Sequence, residues 1–229
     1  MGFVHKAYIF MYDRLADIII HGLVLLTAFP IHESAHALTA HWLGDDTAKN
    51  QGRISLNPFK HLNLLGAIFM LIAGFGWAKP VPINANNFKN RKVGMALSSL
   101  AGPLSNLLLS YISIIVYKIL AYANLLQNNA VINAISTVFL YSVFLNVGLA
   151  VFNLLPIPPL DGSRIFNLVL PERIYFKVMK YENVIFGILF AAIWLGFLDK
   201  PLSFLQQGAV NIMDTLTGWV DVIMFNILR

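Results

Sequence analysis

Long apolar segments constrain this chain more than any other feature of its sequence. The segments at residues 17–43, 93–122 and 131–155 can each cross a hydrocarbon core of about 30 Å as a helix that rises about 1.5 Å per residue. A chain built from several such segments suits a helical bundle in lipid. We therefore expect an all-α, polytopic membrane protein.

Composition supports this expectation and excludes several other classes. The chain is 58% hydrophobic and 12% charged, whereas soluble domains carry about 25% charged residues. It has no cysteine, so disulfides and thiolate metal sites are excluded. Its net charge of +5 comes without long basic tracts, and we therefore expect no nucleic-acid partner.

The remaining apolar segments set the expected number of membrane crossings. Residues 62–77 are apolar but short and rich in glycine, and residues 183–198 and about 202–228 read as the last two spans, separated by Asp199-Lys200-Pro201. We expect about five to six transmembrane helices. Residues 62–77 are expected to dip into the membrane and return, rather than to cross it.

Basic residues indicate how the spans are oriented. Lysines and arginines concentrate in residues 45–92 and 161–182, whereas the connections at 123–130 and 199–201 are nearly neutral. Cytoplasmic loops of membrane proteins carry an excess of positive charge. This rule predicts that both basic stretches are cytoplasmic and that the first span runs from outside to inside.

One of the spans carries an H-E-x-x-H motif at residues 32–36 (His-Glu-Ser-Ala-His). A spacing of four residues places His32 and His36 on the same helix face, so both rings can bind one metal ion. Glu33 lies one position away and can act as general base on an attacking water. Ionisable groups in lipid cost at least about 2.5–3.5 kcal/mol each and mark functional sites. The alternative is a structural cluster with satisfied hydrogen bonds.

A catalytic zinc site takes a third protein ligand and keeps one open position. His21 lies about three helical turns before His32 and is too far along the helix, His41 points to another face, and His61 lies in a polar loop. Asp161 is the better candidate because it follows the Pro-rich break at residues 156–159, where a new helix is expected to start. The alternative role of Asp161 is a helix N-cap, which Asp also favours.

The sequence resembles the site-2 protease family of intramembrane zinc metalloproteases. The matching pieces occur in family order at residues 32–36, 101–106 (Ala-Gly-Pro-Leu-Ser-Asn) and 153–162. Residues 52–58 and 75–82 look like the short bacterial branch, which lacks PDZ and CBS domains. The resemblance implies one catalytic Zn²⁺ held by His32, His36 and Asp161, with Glu33 as general base and then proton donor.

Two asparagines also match family positions. The resemblance implies that Asn153 holds the substrate strand or stabilises the oxyanion, while Asn106 has either a role in the site or an interhelical hydrogen bond. We expect one intramembrane protease domain over residues 1–229, with a catalytic core at about 17–170 and C-terminal helices at about 183–228. Residues 62–77 and 78–92 either gate and clamp the substrate or brace the protein at the membrane surface.

The resulting functional hypothesis is a zinc-dependent intramembrane endopeptidase of regulated intramembrane proteolysis. Its partners would be the lipid bilayer and a membrane-protein substrate, cut in or near a transmembrane segment. It would be a multi-pass protein of a bacterial cell membrane, with its active site open to the cytoplasm. The alternative is a membrane protein that binds or transports a metal without proteolysis.

Overall fold

The computed structural model describes residues 3–61, 63, 66 and 79–227, with only the backbone described at residues 3–17, 172, 175 and 176. Its α-helices are α1 (Phe3–Trp42), α2 (Thr47–Asn50), α3 (Arg91–Gln127), α4 (Ala130–Asn153), α5 (Asp161–Phe166), α6 (Glu172–Met179), α7 (Glu182–Trp194), α8 (Asp199–Leu216) and α9 (Gly218–Ile227). Short 3₁₀ helices cover Pro58–Lys60 and Ala85–Asn87. The described residues contain no strand, which confirms the all-α prediction.

Three helices are long and apolar enough to cross a membrane: Ile18–Trp42 within α1, α3 and α4. Helices α7 and α8 form a fourth span if they count as one, although they are bent by 86° relative to each other. The structure therefore has three to four candidate spans, and the predicted five to six are not confirmed. The predicted dip at residues 62–77 lies almost entirely outside the described residues.

The interruption between the last two predicted spans lies at a different place in the structure. The sequence suggests a break at residues 199–201, but these residues form the first turn of α8. Proline is tolerated in a first helical turn because the N–H groups of that turn have no intrahelical acceptor, so the N–H that proline lacks is not missed. The actual break is at residues 195–198, where Gly196 adopts a positive φ of 75°.

A tight turn of two asparagines connects the central helices. Asn128 ends α3 in the left-handed region at φ 45°, which asparagine adopts more readily than most residues. Asn129 then caps α4, and its side chain accepts hydrogen bonds from the N–H groups of Val131 and Ile132. These two residues make α3 and α4 antiparallel neighbours.

Helix α3 has its small and polar residues inside and its large apolar residues outside. The buried side includes Ser98, Gly102, Asn106, Ser110 and Ser113, and the exposed side includes Leu97, Leu104, Leu108 and Ile112. Against α4, the Ser110 hydroxyl donates to the Val143 carbonyl at 3.3 Å, and the Ser113 and Ser142 hydroxyls lie 2.9 Å apart. This arrangement is typical of helices that pack in lipid, where small residues allow close approach.

The loops that follow α1 and precede α3 pack together at one end of the bundle. The Lys79 N–H donates to the His61 carbonyl at 2.7 Å. The Asp45 carboxylate accepts hydrogen bonds from the Asn84 N–H and the Asn87 amide, both at 2.7 Å. The two flanks of residues 62–78 therefore lie side by side, on the same side of the bundle.

The C-terminal helices are joined to α3 by an ion cluster. Lys118 is buried, and its ammonium lies 2.8 Å from the Asp214 carboxylate of α8 and 2.5 Å from the Asp221 carboxylate of α9. Because hydrogen bonds to charged groups are among the stronger ones, this cluster fixes how α8 and α9 lie against the bundle.

Lys118→Met should therefore lower the free energy of unfolding by about 1.5 kcal/mol, since it removes a hydrogen-bonded charge between three helices. Thermal unfolding of the purified protein in detergent micelles measures the effect. The same change at the exposed Lys180 is the control, and equal stability of the two variants would contradict a stabilising role for the cluster.

Candidate metal centre

Helix α1 presents the two imidazoles of the motif to the interior of the bundle. The Nε2 atoms of His32 and His36 lie 3.0 Å apart, and the rings meet edge to face with centroids 4.6 Å apart. Their exposed fractions are 5% and 6%. The predicted i, i+4 spacing thus places two nitrogen ligands side by side, away from solvent and lipid.

The carboxylate of Asp161 reaches the same point from a distant part of the chain. Helix α5 begins at Asp161, directly after the Pro-rich break. A Cβ on the next residue, Gly162, would lie 2.3 Å from the carbonyl oxygens of both Leu154 and Leu155. Only glycine permits this close backbone contact, which carries Asp161 Oδ2 to 3.2 Å from His32 Nε2 and 3.3 Å from His36 Nε2.

The three ligand atoms fit a tetrahedral zinc ion. Their separations are 3.0, 3.2 and 3.3 Å. A tetrahedron with zinc–ligand bonds of about 2.0–2.1 Å has edges of about 3.3 Å, and two imidazoles with a carboxylate are a known catalytic ligand set. With three protein ligands, a catalytic zinc ion would keep a fourth position for solvent or substrate.

Hydrogen bonding on the far side of His36 assigns its metal-facing nitrogen. His36 Nδ1 lies 2.7 Å from the Ser98 carbonyl of α3. A carbonyl can only accept, so Nδ1 carries the proton and Nε2 presents its lone pair to the ligand triangle. His32 Nδ1 is buried and has no hydrogen-bond partner among the described residues.

Burial and the two neighbouring histidines act in opposite directions on the Asp161 carboxyl. Burial alone would raise its pKa, but the proximity of His32 and His36 outweighs burial and holds the pKa below its usual range. A carboxylate must be deprotonated to bind zinc.

Gly102 of α3 is a site residue that the sequence analysis did not single out. A Cβ at this position would lie 2.3 Å from His36 Nε2 and 2.7 Å from His32 Cε1. The glycine therefore makes room for both rings. The sequence offered one indication of this role, because Gly102 lies in an Ala-Gly-Pro segment at residues 101–103, in the middle of a long apolar helix.

The remaining predicted residues are not members of this triangle. Glu33 is half-buried, and its Oε2 accepts a hydrogen bond from the Val81 N–H at 3.2 Å. The Asn153 amide donates to the Leu149 carbonyl within its own helix. Asn106 is fully buried, and neither of its amide atoms has a partner among the described residues. The site roles of Asn106 and Asn153 stay predictions.

The histidines that the sequence analysis set aside do lie elsewhere. His41 Nδ1 is 2.5 Å from the Asp46 carboxylate, and His61 Nε2 is 2.7 Å from the Ser55 carbonyl. The ring of His21 packs edge to face on Tyr141. Among the described residues, only His32, His36 and Asp161 form a group that could hold a metal ion.

Comparison with known proteins agrees with this geometry. Residues 20–196 match the sequence profile of peptidase family M50. The chain belongs to peptidase family M50. A Bacillus subtilis protein named "Putative zinc metalloprotease YwhC" is 40% identical over 207 residues, which are 89% of this chain and 94% of that protein.

A second relative of this M50 peptidase is more distant. The Mycolicibacterium smegmatis protein named "Putative zinc metalloprotease Rip2" is 32% identical over 146 residues, which are 60% of this chain and 52% of that protein. No solved structure matches the chain. Family membership and the apolar helices make the protein an integral membrane metalloprotease with zinc as its metal ion. The division into one domain over residues 1–229 stays a prediction.

Asp161→Ala should weaken zinc binding by more than about 100-fold. Removing a metal ligand lowers the affinity for zinc more than removing a group that only orients a ligand through a hydrogen bond. Metal analysis of the purified protein after dialysis against a weak chelator measures the loss. Asp199→Ala, at an exposed position, is the control. Full zinc retention by Asp161→Ala would remove Asp161 from the ligand set.

Gly102→Ala should also weaken zinc binding, by about 10–100-fold, because the added methyl displaces ligand rings. Gly187→Ala is a matched control, since Gly187 is also within a helix and a Cβ there meets nothing within 4 Å. Alanine favours helix more than glycine does, so a loss confined to Gly102→Ala is not a helix effect. Equal zinc affinity of the two variants would contradict the packing argument.

Proposed function

We propose that this M50 peptidase is an intramembrane endopeptidase that hydrolyses a peptide bond in or near a transmembrane segment of a membrane-protein substrate. One observation carries the proposal. Two imidazoles and a carboxylate with the edge lengths of a zinc tetrahedron are buried among helices long and apolar enough to span a membrane.

Bound zinc would polarise the scissile carbonyl and lower the pKa of the attacking water. We assign the role of general base to Glu33, which is next to His32 in the chain. Its carboxylate takes a proton from the water as the water oxygen bonds to the scissile carbonyl carbon. It then gives that proton to the amide nitrogen as the carbon–nitrogen bond breaks, so the products are a carboxylate and an amine.

Charge distribution supports a site open to the cytoplasm. The end of the bundle where α1 meets the loop residues 45–61 and 79–90 carries Lys49, Arg53, Lys60, Lys79 and Lys89. The opposite end of the α3–α4 hairpin is the uncharged pair Asn128 and Asn129. By the positive-inside rule, the basic end faces the cytoplasm of a bacterial cell, and the metal site lies in the half of α1 nearest that end.

A substrate helix must unwind before its amides can be cut. Its peptide groups are hydrogen-bonded within the helix, and lipid offers no replacement partners. Glycine or proline near the cut lowers the cost of opening the helix. We therefore assign to this protease substrates with helix-breaking residues near the cytoplasmic end of a transmembrane segment.

Asn153 and Asn106 are proposed to support catalysis at the metal centre. Asn153 ends α4, eight positions before Asp161, and its half-buried amide could hold the substrate strand or the oxyanion. Asn106 lies about one turn after Gly102 on α3. A single oxyanion donor contributes about 3–4 kcal/mol in other hydrolases.

Glu33→Gln should reduce kcat by a factor of about 10²–10⁴, the usual contribution of a general base, while zinc content stays at the wild-type level. The assay is cleavage of a doubly tagged single-span reporter with Gly-Pro near its cytoplasmic end, co-reconstituted with the purified protease. Glu182→Gln, at the start of α7, is the matched control and should cleave like the wild type.

The rival function, metal binding or transport without proteolysis, makes a different prediction for the same assay. A transporter would move zinc across sealed vesicles and leave the reporter intact. Unchanged reporter cleavage by Glu33→Gln would defeat the general-base mechanism, and absence of cleavage by the wild type would defeat the protease proposal.

A further inference from the structure

Residues 79–84, here called the strap, lie against the motif helix where Glu33 projects. The Val81 N–H donates to Glu33 Oε2 at 3.2 Å. Pro80 and Pro82 flank Val81 and have no N–H to donate, and each proline restricts the residue before it to an extended conformation. The sequence Pro-Val-Pro thus presents one rigidly held backbone donor, and the acceptor of that donor is Glu33.

Arg53 holds the strap in place from the loop that follows α1. The side chain is buried, with an exposed fraction of 5%. Its guanidinium donates to the Lys79 carbonyl, to the Pro80 carbonyl at 3.1 Å and to the Lys60 carbonyl at 2.6 Å. Only arginine has several donors in a fixed planar arrangement that can bind several carbonyls at once.

The segment that carries Arg53 is itself tied to the motif. The Ser34 hydroxyl, inside the H-E-x-x-H sequence, donates to the Ser55 carbonyl at 2.6 Å and accepts from the Ser55 N–H at 3.2 Å. His61, which is fully buried, places Nε2 2.7 Å from the same Ser55 carbonyl and accepts the Lys79 N–H on its own carbonyl. The strap is therefore positioned relative to α1 itself.

A carboxylate anchors the far end of the strap. Asp45 accepts hydrogen bonds from the Asn84 N–H and from Thr47. Burial alone would raise the pKa of Asp45, but these hydrogen bonds from Thr47 and Asn84 outweigh it and hold the pKa below its ordinary value. The strap is thus fixed at both ends, by Arg53 at residues 79–80 and by Asp45 at residue 84.

We infer that the strap positions the general base: the Val81 N–H fixes one oxygen of Glu33, so that the other faces the attacking water, and Arg53 is the positioning residue that holds Val81 there. This inference rests on the proposed proteolytic function. It also distinguishes the strap from a substrate clamp, because the Lys79 and Pro80 carbonyls and the Val81 N–H, which could pair with a substrate strand, are already engaged within the protein.

Val81→Pro removes the N–H donor and keeps an apolar side chain, whereas Val81→Ala trims the side chain and keeps the N–H. We expect kcat of Val81→Pro to be about 10–100-fold below that of Val81→Ala, the cost of misplacing a catalytic group by about 1 Å. KM should agree within about twofold and zinc content should be equal, because neither variant alters a ligand. The measurement uses the purified full-length protease and the Gly-Pro reporter.

Arg53→Lys tests the anchor independently of activity. Arg53 reaches the three carbonyls from two different nitrogens, whereas lysine has a single nitrogen and no fixed planar array of donors. Hydrogen–deuterium exchange of the peptide covering residues 79–88 should therefore accelerate, with kcat reduced and zinc retained. Arg91→Lys, at an exposed position, is the control and should match the wild type in exchange and in turnover.

The outcomes separate this inference from the proposed function. If the wild type cleaves and Glu33→Gln does not, but Val81→Pro matches Val81→Ala, the proteolytic function stands and the positioning role is overturned. A rise in KM at unchanged kcat would also overturn it, since that result assigns the strap to substrate binding. An inactive wild type would overturn both.

Discussion

The structure depends on one electrostatic constraint: a carboxylate and two imidazoles lie together in a place that water barely reaches, where a shared cation would balance them. Asp161 Oδ2 lies 3.2 and 3.3 Å from the two Nε2 atoms, and an uncompensated charge there would cost several kcal/mol. Much of the local sequence serves this approach. Gly102 makes room for the rings, Gly162 lets α5 contact residues 154 and 155, and the Ser98 carbonyl orients His36. A zinc ion at this point would therefore account for residues in three separate helices.

Lipid as a solvent explains why the scaffold around the site is built from small polar residues. Apolar side chains gain little from leaving lipid for another apolar surface, so helices associate through close packing and interhelical hydrogen bonds. Helix α3 follows this rule, with Ser110 and Ser113 against α4 and leucines on its exposed side. The same face, about two to three turns earlier, carries Gly102 and the Ser98 carbonyl. The contact surface that assembles the bundle is thus continuous with the surface that shapes the metal site.

The sequence predicted those parts of the site and fold that follow from periodicity, and it failed where tertiary contacts decide. The i, i+4 spacing predicts that His32 and His36 share a face, and the Pro-rich break predicts that a helix starts at Asp161. Asp161 was predicted from the Pro-rich break and the family resemblance rather than from periodicity, because its close approach to the histidines rests on Gly162, whose contacts at residues 154 and 155 lie more than a hundred residues from the motif helix by sequence. The C-terminal spans were misplaced because residues 195–198 are apolar apart from Gly196, whose positive φ is not apparent from hydropathy, while Asp199, Lys200 and Pro201 resemble a break but begin α8.

The proposed ligands and the proposed general base lie in different surroundings, as hydrolysis within a membrane would require. The proposed ligands belong to helices, whose backbone hydrogen bonds are internal and therefore tolerate lipid. Glu33 instead contacts an irregular segment, and such a segment needs partners for its own carbonyls, here supplied by Arg53. Irregular backbone with a buried arginine is tolerated only where it is covered by protein or water. In the proposed mechanism the attacking water comes from the aqueous end of the bundle, so the base would be held from that end while the metal would be held from within the bundle.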